Sequence, residues 1–348
     1  MRRVRQSGIA MLTMIFVIAI ILISLMLNTL NPVKIRTLKD KNTYFALLEA
    51  KTALIGWSAR HITMPGSLPC TDINNDGTAI NAGQDCNAYI GRLPWRTLGI
   101  ADVRDGEGEC LWYALSPIYR NVIAVGNRSL AAANQINVNV PGSITLVNFD
   151  GSANPFPDNP VIAVIIAPGR PLGAQNRAFA VGGTCGGNYI AANYLDIFNA
   201  FNNATGNAVG NNYTFVKGVD SATFNDRVIT ITARDLYRPI RQRMVKEIIG
   251  NNNTMDGVAD FYINNGIYPC PAVNTTSASD CSLTSGFVND AIAGMNLDFP
   301  ILGSWLANNN WFATASYNYT DSNNVQLNIA DIFGSYSCSA TANVFNCS

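Results

Sequence analysis

An uninterrupted apolar run near the N-terminus constrains this chain more than any other feature. The nineteen residues from Ile9 to Leu27 read IAMLTMIFVIAIILISLML and include no charged side chain. A helix of that length extends about 29 Å, close to the roughly 30 Å hydrocarbon thickness of a bilayer. We therefore expect a membrane-embedded helix over residues 9–27.

The charges beside this run orient the predicted helix. Arg2, Arg3 and Arg5 precede it, and the first lysine after it is Lys34. The positive-inside rule then places the N-terminus in the cytoplasm and the rest of the chain outside. A secretory signal peptide fits less well, because its apolar core usually has about 7–15 residues and ends in a small-residue cleavage site. An uncleaved anchor has the same hydropathy and stays open as an alternative.

The helix is predicted to continue beyond the apolar run. Over residues 38–62, apolar side chains recur at helical spacing. They are Tyr44, Leu47, Leu48, Leu54 and Ile55. Pro32 lies just outside the apolar run, where a kink is tolerated. We expect one long helix over residues 9–60, apolar at its start and amphipathic at its end.

This arrangement resembles the type IV pilin family, including the pseudopilins of type II secretion. The resemblance rests on a basic leader, residues 1–8, that ends in Gly8 directly before the apolar run, and on the long helix. It implies cleavage between Gly8 and Ile9 by a prepilin peptidase, methylation of Ile9, and packing with other pilin or pseudopilin subunits in a filament. It also implies assembly from the bacterial inner membrane, with a periplasmic body or a place at the filament tip on the cell surface.

One position departs from the family's pattern. Thr13 is the fifth residue after the predicted cut, where most pilins have a glutamate that pairs with the N-terminal amine of a neighbouring subunit. Minor pilins and the tip pseudopilin often lack this glutamate, since a subunit at the end of a filament has no subunit ahead of it to pair with. The resemblance therefore implies a minor subunit at the tip or at initiation. Alternatively, the Thr13 hydroxyl bonds back to its own helix.

Composition argues against nucleic-acid binding. Without the three leader arginines the chain has 20 basic and 23 acidic side chains, a net charge of about −3 with no basic stripe. Charged residues are only 13% of the chain, so the abundant Asn, Gly, Ser and Thr predict a surface that is polar without being charged. At 348 residues, the chain is long enough for two globular parts.

Eight cysteines in an exported chain predict four disulfides, although the sequence alone permits 105 pairings. Local spacing favours three of the pairs and leaves the fourth by elimination. The pairs are Cys70–Cys86, Cys270–Cys281, Cys338–Cys347 and Cys110–Cys185. A zinc site is not indicated, because the chain has no CxxC and its single histidine is His61.

A module appears twice in the sequence. Each copy has a Pro-Cys that follows a helical segment, then a second cysteine, then a tryptophan 42 residues after Cys70 or 41 residues after Cys270. We predict four regions. They are a leader (1–8), a long helix (9–60), a first pilin-like module (61–226) and a second, duplicated module (227–348).

The predicted fold class is α+β. The long N-terminal transmembrane and amphipathic helix is expected to pack on an antiparallel sheet, with a second helix-plus-strand module in the C-terminal half. Residues 160–169 form an apolar run bounded by turn residues and predict a buried strand, and residues 227–232 alternate and predict another.

The sharpest candidate for a ligand site is a loop that begins at Asp72. The residues DINNDG match the first half of a calcium loop, with the carbonyl of Thr78 as a fourth ligand. The twelfth position is Gly83 rather than glutamate, and Asp85 is the substitute we expect. The predicted ligands are Asp72, Asn74, Asp76, Thr78 and Asp85. A loop of Asx turns, which needs no metal, is the alternative.

Catalysis is not indicated. A nucleophile needs a positioned base, and the chain has one histidine and paired cysteines. A hydrolase would need two carboxylates within catalytic distance. We therefore expect no enzyme but a structural minor pilin or pseudopilin subunit. The alternative is an anchored adhesin or ligand-binding protein.

Overall fold

A computed structural model describes most of the chain. The described residues are 7–29, 32–82, 85–121, 136–153, 159–177, 185, 188–250, 257–269, 285–287, 305–306, 309, 311–331 and 333–348.

Several of the helices begin or end at a usual sequence signal. The helices are α1 (Ser7–Thr29), α2 (Pro32–Arg60), α3 (Trp95–Leu98), α4 (Ala233–Ile249) and α5 (Val258–Asn265). Proline opens α2, where its fixed φ suits the first helical turn. A capping box between Thr232 and Asp235 opens α4, and Gly266 ends α5 in the left-handed conformation. The helix predicted over residues 9–60 is thus described as two helices.

The first sheet has six strands: β3 (Ile90–Arg92), β4 (Trp112–Leu115), β5 (Ile144–Val147), β6 (Val161–Ala167), β9 (Tyr213–Val216) and β10 (Arg227–Thr232). Their order is β3-β4-β6-β5-β9, with β10 paired to β6. The predicted strands over 160–169 and 227–232 are confirmed as β6 and β10, and every residue of β6 is buried. A parallel pair, β5 with β9, makes this sheet mixed rather than antiparallel.

The second sheet is an antiparallel meander of five strands in chain order. Its strands are β11 (Ser285–Phe287), β12 (Ala315–Asp321), β13 (Asn324–Asp331), β14 (Gly334–Thr341) and β15 (Val344–Cys347). Two small hairpins complete the described strands: β1 (Asn81–Ala82) with β2 (Asp85–Cys86), and β7 (Ile197–Phe198) with β8 (Phe201–Asn202).

The prediction of a membrane-spanning helix over residues 9–27 is wrong. Within the part of the chain that the structure describes, no helix is long and apolar enough to cross a bilayer.

Three further predictions depended on that helix and are corrected with it. The first is the single-pass location in the inner membrane with a periplasmic body. The second is a prepilin leader that precedes a transmembrane helix, and the third is the predicted fold class, because it included that helix. The structure is a mixed α/β arrangement of several sheets, with helices packed on both large sheets.

One hydrophobic core joins the two halves of the chain. Helix α2 packs on β6, β10 and α4, and α4 in turn packs on β13 and β14. The buried face of α2 is made mainly of small side chains, which let the neighbouring elements approach closely. It consists of Thr43, Ala46, Leu47, Ala50, Leu54, Ser58 and Ala59. Tyr44 and Leu48, expected on this face, are exposed. Lys51 forms an ion pair with Asp235, with Nζ and Oδ2 2.8 Å apart.

The Pro-Cys segments of the predicted repeat receive the same hydrogen bond. The Tyr113 hydroxyl on β4 donates to the carbonyl of Pro69 at 3.3 Å, and the Tyr317 hydroxyl on β12 donates to that of Pro269 at 2.8 Å. The two tryptophans are not equivalent, since Trp112 lies in β4 and Trp311 lies in a 3₁₀ turn before β12. Strand β10 begins at residue 227, where the second module was predicted to start, but it pairs within the first sheet. The duplication and the boundaries at 61, 226 and 227 stay predictions.

Disulfides fasten both sheets. The structure forms Cys70–Cys86, Cys110–Cys185 and Cys338–Cys347, three of the four pairs expected from spacing. Cys270 and Cys281 lie outside the described residues. Cys338 and Cys347 are direct cross-strand neighbours in β14 and β15, so their bond fixes the register of the last hairpin.

Candidate functional site

The predicted cation loop folds around a buried carboxylate. Oδ1 of Asp72 accepts hydrogen bonds from the backbone N–H groups of Asn74 and Asn75, each at 2.9 Å, and Oδ2 accepts from that of Gly77 at 2.8 Å. Burial raises the pKa of the Asp72 carboxyl, and these three donors oppose the rise. Gly77 has a φ of 82°, and a Cβ there would clash with the ring of Trp95, so the loop requires glycine.

The carboxylates of the two other acidic ligands predicted here, Asp76 and Asp85, have partners of their own. Oδ1 of Asp76 accepts from the backbone N–H of Thr78 at 2.7 Å, and its Oδ2 accepts from Nδ2 of Asn74 at 3.0 Å. Asp85 instead pairs with Arg120, with Oδ1 and Nε 3.1 Å apart. The oxygens of this loop thus satisfy its own backbone, as in a chain of Asx turns.

The acidic stretch that follows is also internally bonded. Oδ1 of Asp105 accepts from the backbone of Glu107 and Glu109, and Oδ2 accepts from that of Gly169. Among the described residues, the group with ligand atoms close enough for a metal is Asp102, Cys110 and Cys185, but its two sulfurs form a disulfide and are not thiolates. Calcium binding stays a prediction, and the loop geometry favours the alternative without metal.

We expect Asp72→Ala to destabilise the protein by about 3 kcal/mol, because three buried backbone donors lose a charged acceptor. Asp76→Ala is the matched control on the same loop, and its exposed carboxylate should contribute less than about 1 kcal/mol. Urea unfolding of both variants, with and without calcium, measures these effects. A metal loop would be favoured instead if the two variants lost the same free energy of unfolding. It would also be favoured if calcium stabilised the native chain but neither variant.

A pair of aspartates lies where two loops meet. Oδ2 of Asp196 accepts from the backbone N–H groups of Asn225 and Asp226, and Oδ2 of Asp226 accepts from that of Asp196 at 2.8 Å. Burial and the charge of Asp196 raise the pKa of Asp226 well above its ordinary value. The structure thus brings together two carboxylates, the feature that a hydrolase would need. Their bonds hold the backbone of the two loops, which is a structural role, and catalysis stays untested.

The aromatic residues singled out in the sequence are core residues. Trp112 is buried, with the guanidinium of Arg92 4.5 Å from its ring centroid and 4.1 Å from that of Tyr194. Nη1 of Arg92 donates to the carbonyl of Cys110 at 2.9 Å. Trp311 is buried and donates from Nε1 to the carbonyl of Ile136 at 2.9 Å. Arg92 could not be identified from the sequence, because no local pattern indicates an arginine between two rings that are distant in sequence.

Helix α1 carries the remaining predicted positions. Oγ1 of Thr13 donates to the carbonyl of Ala10 at 2.9 Å, the internal bond that was the alternative to a role at the filament tip. Gly8 and Ile9 lie inside α1, and processing there stays a prediction. The large apolar side chains from Met11 to Ile23 are between 45% and 69% exposed on every side of the helix.

No protein-family model, curated protein or solved structure matches this chain.

Proposed function

We propose that this protein is a structural subunit of a pilin-like filament, in which α1 packs against the apolar helices of other subunits. The observation that carries the proposal is the exposed apolar surface of α1. Eleven large apolar residues of this helix are exposed, and none belongs to the hydrophobic clusters formed by the buried residues described. Contiguous exposed apolar surface of this kind marks an interaction site.

The periodicity of α1 supports a bundle rather than a single groove. Phe16, Ile21 and Leu22 point in different directions around a helix with 3.6 residues per turn, yet all three are exposed. A helix that is apolar all round is stable only when it is surrounded. Several neighbouring helices, as in the core of a filament, provide such surroundings.

The rest of the molecule supports a mechanical role. Helix α2 is fastened to the first sheet by its buried face and by ion pairs at its start. Arg36 pairs with Asp220, Lys39 with Glu107, and Asp40 with Arg227. Force applied to α1 would reach the first sheet through this helix. Thr13 in place of the family's glutamate is compatible with a minor subunit at the tip or at initiation.

A photo-activated cross-linker at position 18, in cells that make the filament, tests the proposal. We expect adducts with the apolar N-terminal helix of another subunit, and the same cross-linker at the equally apolar, 76% exposed Val209 should not give them. Ile18→Lys should reduce assembly at least tenfold, since burying an unpaired ammonium costs several kcal/mol. Position 18 would contradict the proposal if it gave no protein adducts, or the same adducts as position 209.

A further inference from the structure

Strand β10 forms an open edge of the first sheet. Its residues Arg227 to Thr232 pair with β6 along their whole length. Among the residues that the structure describes, no other strand pairs with β10. The N–H and C=O groups that alternate residues direct away from β6 thus have no partner strand, and such an edge is a template for a further one.

The sequence of β10 leaves this edge unprotected. Edge strands usually carry a charged side chain, a proline or a bulge that prevents another strand from pairing. In β10 the charge is at its start, on Arg227, and the register shift is at its other end, between Ile231 and Thr232. The residues between, VITI, include no charge and no proline, and β-branched side chains favour strands.

A groove of about 540 Å³ lies along the same edge. Its lining includes the consecutive residues Val228 and Ile229, whose side chains point to opposite faces of the sheet. Ile229 packs with the cluster that contains Leu47 of α2, whereas Val228 packs with the cluster that contains Leu146 of β5 and Phe215 of β9. Because both faces of the strand reach the groove, it opens at the edge rather than on a face.

Apolar side chains line the groove on both sides of the edge. Helix α2 contributes Tyr44 and Leu47, and the segments that follow β5 and β9 contribute Phe149 and Val219. Tyr44 is 56% exposed and Val219 is 76% exposed. The side chains of an added strand would alternate between the two sides, so each of them would meet apolar surface.

These features select an extended peptide as the occupant. The edge of a strand presents backbone donors and acceptors at a repeat of roughly 7 Å, which another extended backbone matches. An α-helix uses its backbone groups internally, and a small apolar molecule has none. In strand addition, the main-chain hydrogen bonds provide affinity and the pockets for alternate side chains provide specificity.

The charges along the groove favour an acidic residue in this peptide. Lys217, Arg227 and Asp150 line it. Arg227 is paired with Asp40, and Asp150 accepts hydrogen bonds from the backbone and the hydroxyl of Ser152. Lys217 is exposed and forms no ion pair with the residues described. A carboxylate on the peptide would complement it.

We propose that β10 accepts an extended peptide of a partner protein as an additional strand. The peptide has apolar side chains at alternate positions and an acidic residue that faces Lys217. Its backbone pairs with the outer edge of β10, and its apolar side chains fill the groove. The proposal does not depend on the filament proposed above, because α1 does not line the groove.

Fluorescence anisotropy of labelled synthetic hexapeptides with the purified full chain tests the proposal. The peptides alternate Thr with Val, Leu or Phe and end in Glu, Lys or Ser, and we expect those with Glu to bind most tightly. A bound peptide is then N-methylated on alternate residues, in two complementary patterns. The pattern that methylates the N–H groups facing β10 should weaken binding tenfold or more, and the other, its matched control, should bind like the parent peptide.

Lys217→Glu tests the charge. This variant should bind the Glu peptides roughly fivefold more weakly and should prefer the Lys peptides, because an exposed ion pair becomes a pair of like charges. Lys246→Glu is the matched control, since it makes the same change at an exposed position in the last turn of α4, outside the groove. Its peptide preference should equal that of the native chain, and unchanged thermal unfolding of both variants shows that the fold is kept.

Four results would overturn the proposal. The first is that none of the hexapeptides binds. The second is that the two methylation patterns have the same effect, because the groove would then hold apolar groups without pairing to β10. The third is that Lys217→Glu keeps the peptide preference of the control. The fourth is that the native chain sediments as a dimer that Lys217→Glu dissociates, because a second copy of this chain would then occupy the groove.

Discussion

Arg241→Met is expected to lower the free energy of unfolding by about 3–5 kcal/mol, because it leaves a buried carboxylate without its cation. Nη1 of Arg241, on α4, lies 2.6 Å from Oδ1 of Asp331 at the end of β13 and donates to the carbonyl of Gly334 at 3.1 Å. The two side chains are 9% and 0% exposed. Together they hold the β13–β14 turn, and with it the second sheet, against α4.

A second substitution shows whether the unpaired charge causes the loss. Oδ1 of Asp331 also accepts from the backbone N–H of Phe333 at 2.7 Å, and an asparagine keeps that bond without the charge. Arg241→Met with Asp331→Asn should therefore be more stable than Arg241→Met alone. Urea unfolding of the native chain and both variants at neutral pH measures these differences.

The matched control is an ion pair of similar geometry on the surface. Arg227 and Asp40 lie 2.7 Å apart, but their side chains are 43% and 44% exposed. Arg227→Met should cost less than about 1 kcal/mol, since solvent screens the pair. A loss as small as this for Arg241→Met, or a double variant no more stable than the single one, would show that the buried pair contributes little to stability.

Local patterns in the sequence predicted local structure well. The spacing of Cys70–Cys86 and Cys338–Cys347 reflects hairpin-sized loops, and both bonds form. The apolar run of β6 is bounded by prolines and is buried throughout, as its composition indicates. In such cases, neighbours in sequence are neighbours in space, so a short window contains the physical cause.

Other features depend on contacts between distant segments and could not be predicted. The parallel pairing of β5 with β9 brings Ile144 beside Tyr213, and no window of sequence contains both. The buried face of α2 uses Thr43, Ala46 and Ala50, because the elements packed on it need close approach rather than apolar bulk. At Asp72, half of a calcium motif and a chain of Asx turns require the same residue types, so only the direction of the hydrogen bonds distinguishes them.

Acid should destabilise this protein through its single histidine. Burial, together with the positive charge of Arg243, lowers the pKa of His61 from 6.5 to about 4. The folded state therefore binds this proton less readily than the unfolded chain. The stability that neutral His61 provides is complete above pH 6.5 and is lost as the pH falls from 6.5 towards 4. Between pH 8 and pH 4.5 the loss should be roughly 2.5 kcal/mol.

The contacts of His61 explain why its neutral form is favoured. Nδ1 accepts a hydrogen bond from the backbone N–H of Met64 at 3.0 Å, which a protonated ring cannot accept. The ring packs 5.1 Å from that of Trp57, and the guanidinium of Arg243 donates to the His61 carbonyl at 2.7 Å. Glu247 is the nearby acid, but its carboxylate bonds to Arg243 and Trp305. A proton on His61 would thus break one hydrogen bond and meet a like charge where α2 ends against α4.

His61→Asn isolates this effect, because an asparagine oxygen can accept from Met64 but does not titrate between pH 8 and 4.5. Buried carboxylates such as Asp226 also titrate as the pH falls, but they do so in both proteins and cancel in the comparison. Urea unfolding across this range should show the native chain losing roughly 2.5 kcal/mol more than the variant. Parallel pH profiles for the two would mean that His61 is protonated as easily in the folded protein as in the unfolded chain. A profile that diverges only below pH 6.5 would place a proton-sensitive contact at the junction between α2 and the second half of the molecule.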